Sequence, residues 1–387
     1  MLCNRLFTRA RYTALAALMM LMAHHAAAQA PSTVVTTAVP FLLISPDSRA
    51  AGMGDANVAI ADNASAVFWN PAGLGFQKGL DVNLTYSNWL PAFNADLFYN
   101  FLTGKYYVPG WGTFGLSVIY LNLGESRFTD GQGNDLGAFR SYEFAIGLHY
   151  GVKVTPDLSL GTSIRYINSS LSPANVQVGN ERSAGQGNSI SFDLAALWRP
   201  QLGGWLSDRF SFGLNISNIG PAMTYIDAAQ ADPLPTNFRA GFAFRLLNDD
   251  YNKMTITTDV SRLLVRRTVE FEQRGDTALP RVRTDGFLQA LFTSWGVEAV
   301  LRTFTTGVGI EYWYGKPSLL ALRAGYFYED QRSGGRQFLT FGAGLRYSSF
   351  GVDFSYLQAI EQNHPLAGTV RISLVLNFPT LGQPSRQ

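Results

Sequence analysis

Four histidines, one cysteine and a few acidic pairs are the residues from which this 387-residue chain could build catalytic chemistry. His24, His25 and the single cysteine, Cys3, fall in an N-terminal leader. His149 sits within an alternating stretch, and His364 precedes Pro365 in a turn. A general base works only within hydrogen-bond reach of the group it deprotonates. No GxSxG, HExxH or Cys/His pairing accompanies either histidine. His149 therefore reads as a hydrogen-bonded interior residue, with a lone general base as the alternative. Asp249 and Asp250 read as a solvated turn between Asn248 and Tyr251. Gly52-Met53-Gly54-Asp55 lacks the lysine and the strand–helix setting of a phosphate loop. The residues thus point to no catalytic, metal or cofactor site, and no cofactor is expected.

The elements that carry these residues are unusual in composition. Charged residues make up 15% of the chain, against about a quarter in ordinary soluble proteins. Hydrophobic residues reach 47% and aromatic residues 13%, with 38 glycines, yet mean hydropathy is only +0.02. This balance excludes a bundle of apolar membrane helices, a disordered chain and a coiled coil. Residues 1–30 combine Arg5, Arg9 and Arg11 with an apolar run at 13–22 and the small-residue stretch at 26–30. That is the pattern of a secretory signal peptide, with cleavage after Ala28 or Ala30. A membrane anchor is the alternative, but the run is shorter than the roughly 20 residues a helical span requires. Removing the leader takes three of the 30 cationic residues, so 27 remain against 28 acidic ones. A net charge of −1, with no cysteine, excludes a disulfide scaffold and a basic face for nucleic acid.

Beyond the leader, the recurring feature is alternation over about ten residues. In 141–152, Tyr142, Phe144, Ile146, Leu148 and Tyr150 share one face, while Ser141, Glu143, Ala145, Gly147 and His149 share the other. The stretches 187–199, 208–218 and 368–378 repeat the pattern. A period of two places alternate side chains on opposite faces of a sheet. Large apolar residues on one face and small polar ones on the other describe a transmembrane β-barrel more closely than a periplasmic sandwich. Tyr and Trp at strand ends suit the interfacial aromatic girdles. The expected fold is all-β: a 14-stranded antiparallel transmembrane barrel over 80–378, with both ends periplasmic, followed by a C-terminal tail at 379–387. The expected strands are 80–88, 97–107, 112–122, 141–152, 157–168, 188–199, 208–218, 237–247, 252–262, 306–315, 318–329, 337–348, 350–358 and 368–378. Phe287, Leu288, Leu291 and Trp295 fall at helical spacing, which predicts an amphipathic helix over about 285–303 inside a long outer loop at 263–305. Other long loops are expected at 123–140, 169–187 and 219–236.

The lumen face carries Glu143, Arg165, Asp193, Arg199, Arg239, Arg245, Asp259, Glu311, Arg323, Arg346, Asp353 and Arg371. Mixed signs predict cross-strand pairs and contacts to a plug rather than a selectivity ring. Apolar residues also fall in the outer connections: Trp89, Leu90 and Phe93, then Met223 and Tyr225, then Phe287, Leu291 and Trp295. They read as a protein-binding surface. The alternatives are loops packed on one another or dipping into the outer leaflet.

Residues 31–79 do not alternate. They are rich in Gly, Ala and apolar residues, which predicts an N-terminal hatch inside the lumen, the alternative being a flexible periplasmic leader. The string PFLLISPDSRAAGMGDANVA at 40–59, with FWNPAGLG at 68–75, resembles the hatch of FadL-type outer-membrane barrels. More narrowly it resembles the PorV family of the type IX secretion system. Asp47, Arg49, Gly52, Gly54, Asp55, Asn70 and Pro71 form the hatch motif. The stretches 309–314, 322–327, 352–357 and 364–374 extend the likeness, which covers about 36–378. The resemblance implies an outer-membrane shuttle that binds the C-terminal signal domain of type IX cargo. It would receive cargo from the large translocon barrel and deliver it to a PorU-type sortase for surface attachment. The FadL-type likeness taken alone implies uptake of hydrophobic small molecules. Either way the surroundings are outer-membrane lipid.

Overall fold

A computed structural model describes residues 35–378 except 130, 131, 133, 134, 173–175, 179, 180, 184, 226–230, 275, 276 and 298. The expected signal peptide at 1–30 and the tail at 379–387 lie outside the described residues. No helix among the described residues is long and apolar enough to cross a membrane.

Alternation of side chains produces strands throughout. They are β1 (Leu80–Asn88), β2 (Phe98–Val108), β3 (Gly112–Thr129), β4 (Asp135–Lys153) and β5 (Leu158–Ser170). Then come β6 (Val176–Val178), β7 (Glu181–Ser183), β8 (Gln186–Trp198), β9 (Phe210–Ile219), β10 (Asn237–Asn248) and β11 (Asn252–Leu263). The chain continues through β12 (Arg267–Arg274), β13 (Thr277–Thr284), β14 (Thr305–Tyr314) and β15 (Leu320–Glu329). It ends with β16 (Gln337–Tyr347), β17 (Phe350–Ala359) and β18 (Val370–Phe378). Fourteen of these form one closed antiparallel barrel, in which β1 closes on β18 from Leu80↔Phe378 to Ser87↔Arg371. Closure leaves no strand edge unpaired, which a backbone crossing hydrocarbon requires. The remaining strands form two small outer hairpins, β6–β7 and β12–β13. Turns at 109–111, 154–157, 249–251 and 348–349 are short and share the end where β1 begins. The long loops lie at the other end, which is therefore the outer one.

The fourteen expected strands are all present, but three expected loops hold more structure than their sequence indicated. The loop expected at 123–140 is largely an extension of β3 and β4 above the barrel. A bulge between Asn122 and Glu125, with Gly124 at φ +80°, offsets this ribbon from the wall. The 169–187 loop contains β6–β7, and the 263–305 loop contains β12–β13. The helix expected over 285–303 is also shorter. After α1 (Ser48–Ala51) and α2 (Ala66–Trp69), helix α3 covers only Phe287–Thr293. Two 3₁₀ turns follow, at Ser294–Gly296 and Val300–Thr303, and Ala299 between them is left-handed at φ +52°. Gly296 and that left-handed residue stop the helix from continuing.

Outward faces are apolar, as expected. An outer aromatic band joins Tyr86, Phe98, Tyr120, Tyr142, Phe144 and Tyr166, with successive ring centroids 6.0–6.4 Å apart. The inner face is less uniformly polar than its sequence suggested. Tyr99, Phe101, Ile119, Leu121, Ile167 and Leu197 point inward and are fully buried. They meet Phe41, Leu42, Val67 and Leu74 of the N-terminal segment in one apolar cluster. The wall is apolar where an apolar hatch element covers it.

Candidate functional site

Residues 35–79 lie inside the barrel and bond to its wall from β1 round to β18. Asp47 starts α1. One carboxylate oxygen accepts the Ala50 amide (3.0 Å) and the other accepts the Trp69 indole N–H (2.6 Å). These bonds join α1 to α2. Burial raises the Asp47 pKa above the usual carboxylate value, and the two hydrogen bonds offset part of that rise. Arg49 presents its guanidinium fork to Glu311 on β14, with Nε and Nη2 each 2.7 Å from a carboxylate oxygen. Its Nη1 donates to Asp62. Burial opposes the Arg49 charge, but Asp62 and Glu311 together raise its pKa above the ordinary value. The network continues along the wall: Arg323 bonds Glu311 (2.8 Å) and Asp353 (2.8 Å), and Arg346 bonds Asp353 (2.5 Å). Planar bidentate pairs of this kind fix position as well as charge.

The hatch glycines allow backbone to touch backbone. Gly54 has φ +65°, and a Cβ there would lie 2.6 Å from the Tyr326 carbonyl oxygen, while its amide donates to Thr340 Oγ1 (2.9 Å). Gly52 faces the Cα of Gly342, 3.1 Å from where its own Cβ would sit. Asp55 is also left-handed (φ +64°), and its carbonyl accepts from Arg239 (2.9 Å). Asn70 turns the chain into the 3₁₀ segment that Pro71 opens. Its Oδ1 accepts the Ala72 amide (3.1 Å), and its Nδ2 donates to the carbonyls of Val58 (2.8 Å) and Ala196 (3.1 Å). The structure thus brings all seven motif residues into one interlocked segment.

The other lumen charges form cross-strand pairs, reach the hatch or, at Arg245, bond the connection before β9. Arg165 pairs with Asp193 (2.9 Å) and Arg239 with Asp259 (3.7 Å). Asp259 accepts the amides of Asn57 and Val58 (both 2.8 Å). Arg199 donates to the Ile60 carbonyl (2.7 Å) and Arg371 to the Ser45 carbonyl (3.2 Å). Glu143 accepts from Ser169 (2.7 Å), and Arg245 donates to the Asp208 carbonyl (3.3 Å). On the periplasmic side of the hatch a cavity of about 730 Å³ opens, where Arg49, Asp62, Arg199 and Glu311 stand beside Ile60, Phe210 and Trp313. A second cavity, beside Leu42, Phe68 and Arg239, measures about 20 Å³, room for about one water.

The eight outer apolar residues separate into three places. Trp89 and Leu90 are half-buried against Phe327, Phe338, Leu357 and Leu366, and Phe93 beside them is 59% exposed. Met223, expected on the outer surface, is fully buried, and Tyr225 is half-buried beside it. The 220–225 stretch folds inward along β8, where Ser189 bonds the Pro221 carbonyl (3.1 Å), and so packs on the hatch cluster. Phe287, Leu291 and Trp295 lie at the outer rim beside β10 and β11. The three groups do not form one surface.

Residues 27–270 match the family model described as type IX secretion system protein PorV, which is more than half of the chain. The chain belongs to the PorV family. Among curated proteins, none matches the sequence. Among solved structures, the Ralstonia pickettii toluene transporter TbuX aligns at 14% identity over 87% of this chain and 100% of its own, with a TM-score of 0.52. The monoaromatic hydrocarbon channel CymD aligns at 15% identity over 87% and 98%, with a TM-score of 0.51. A Pseudomonas aeruginosa FadL homologue aligns at 13% identity over 90% and 100%, with a TM-score of 0.46. The fold is that of FadL-like barrels, and a PorV-family barrel of this kind is a type IX secretion protein of the bacterial outer membrane.

Within this PorV-family barrel the residues weighed for catalysis have structural surroundings. His149 is buried between Ser117 (2.8 Å from Nε2) and Ser163 (2.7 Å from Nδ1). Asp249 accepts the amides of Tyr251 (2.9 Å) and Asn252 (2.6 Å) within its turn, and Asp250 pairs with Lys316 (2.6 Å). Among the described residues no group of three His, Cys, Asp or Glu is placed to hold a metal ion. Sequence reasoning missed two residues. Asp62 is the second partner of Arg49, and nothing in its surroundings in the sequence marks it. Arg262 stands at an apolar, outward position of β11, and that break in alternation is a legible signal.

Proposed function

We propose that this PorV-family barrel is a carrier for type IX cargo, binding the C-terminal signal domain of exported proteins at its outer rim. In this reading it takes cargo from the large translocon barrel and presents it to a PorU-type sortase, without turning over any bond itself. The observation that carries the proposal, beside family membership, is the locked hatch. Arg49 is clamped between Glu311 and Asp62, and the hatch is bonded to the wall on every side. A barrel filled in this way offers partners its rim rather than its bore. The exposed Phe93 loop, braced by Trp89 and Leu90, is the proposed cargo contact. Aromatic side chains on a rigid base make effective anchors. A clean deletion of the gene is expected to leave cargo inside the cell with its signal domain uncleaved. Phe93→Ser is expected to reduce cargo copurified with the tagged barrel while the amount of barrel in the membrane stays constant. Normal secretion in the deletion strain would overturn the reading.

The likeness in fold to TbuX and CymD favours a second reading, passage of hydrophobic small molecules. It requires an apolar route past the hatch. The periplasmic cavity is instead lined by charges of both signs, which supports the first reading. Hydrocarbon copurified with the barrel, and slower growth on hydrocarbon without it, would favour the second.

A further inference from the structure

The helical part of the loop between β11 and β14 packs on the outward face of the wall. Strand alternation places Arg239 and Asp259 inside, where both bond hatch backbone. Phe238 and Arg262, paired across β10 and β11, therefore face outward at the outer end of the wall. The Trp295 ring packs edge-on against Phe238 (centroids 5.4 Å apart, 81°) and lies 4.9 Å from the Arg262 guanidinium. Arg262 donates to Thr303 Oγ1 (2.6 Å) and to the Ser294 carbonyl. Farther along the rim, Ser333 donates to the Arg302 carbonyl (2.8 Å). Helix α3 and the two 3₁₀ turns after it are thus held against the outward face of β10 and β11 and, at Arg302, to the β15–β16 loop.

We propose that this element is a membrane foot, whose free face inserts into the acyl chains of the outer leaflet. Its inner face is buried at Ala290 and Ser294. Its free face carries Leu288, Phe292 and Leu301, which are 62%, 80% and 81% exposed. Leu116 of the outward-facing belt is 59% exposed in the same way, and lipid covers that belt. The foot adjoins the belt through Phe238, so its apolar face continues a surface that already meets lipid. The foot also shields Arg262, a charge at an otherwise lipid-facing position, with carbonyl, hydroxyl and aromatic groups. A cargo site at Phe287, Leu291 and Trp295 is thereby replaced: Trp295 is used to hold the foot, and the exposed residues beside it face lipid.

The test uses the full chain with Cys3 replaced by Ser, reconstituted in phosphatidylcholine–phosphatidylglycerol vesicles. Phe292→Cys carries a polarity-sensitive fluorophore, with Leu116→Cys as the lipid control and Ala95→Cys as the aqueous control. Phe292 makes little buried contact, so the variant retains the barrel, which heat-modifiable migration on gels verifies. The expected result is quenching by shallow nitroxide lipid severalfold above that at Ala95→Cys, together with a blue-shifted emission and protection from iodide. Iodide quenching equal to that at Ala95→Cys, without quenching by nitroxide lipid, would overturn the proposal and return this face to protein partners.

Discussion

Arg49 brings a full positive charge into the interior of the barrel, where Glu311 and Asp62 together make that charge tolerable. Buried ion pairs contribute little net stability, because desolvation offsets most of the attraction. What they do is specify position: a partner removed alone leaves a charge without compensation. Glu311 also compensates Arg323, so Glu311→Leu should be the costly single change, at about 3 kcal/mol. Arg49→Met should cost less, since Glu311 keeps Arg323. The double variant should lose less than the sum of the two, because charge and partner leave together. Urea unfolding in phospholipid vesicles measures the cycle, and strictly additive losses would show that the pair is not coupled. Gly54 supplies the complementary steric constraint, since only a residue without a Cβ fits its left-handed backbone against Tyr326.

Elements differ in how directly sequence specifies them. The fourteen barrel strands were legible because each faces lipid on one side, so large apolar residues recur at every second position. The seven motif residues were named through resemblance alone, and the backbone contact at Gly54 and the fork at Arg49 came only with the fold. The β3–β4 ribbon was not legible. Above the membrane both of its faces meet water, and Glu125, Arg127, Asp135 and Arg140 look like loop residues. The burial of Met223 was equally hidden, because an apolar side chain in a polar loop does not state which way the loop folds. Exposure makes the ribbon's own charges weak contributors. Arg127 lies 2.8 Å from Asp135 and Arg140 3.6 Å from Glu125, with all four side chains at least half exposed. Replacing Arg127 and Arg140 by Ala should therefore shift barrel stability by less than about 1 kcal/mol. A larger shift in the urea midpoint would mean that the ribbon packs on a surface absent from the isolated chain.

At the scale of the whole molecule, the question is whether the hatch must move. A carrier that works at its rim can keep residues 35–79 fixed, whereas a transporter working through its bore must displace them. Ser48 of α1 and Ser373 of β18 sit with hydroxyl oxygens 2.9 Å apart, so two cysteines there lie within reach of a disulfide. In a background with Cys3 replaced by Ser, Ser48→Cys/Ser373→Cys should oxidise to a bond that pins the hatch to the wall. The carrier reading expects cells with this variant to secrete and process cargo as the parent does, in oxidising and reducing media alike. If passage through the bore is the function, oxidation should abolish it and a reductant should restore it. The hatch is bonded to β14 through Arg49, to β11 through Asn57 and Val58, and to β18 through Ser48. An additional bond at β18 holds fixed a segment that already has no slack, so the carrier should not register it.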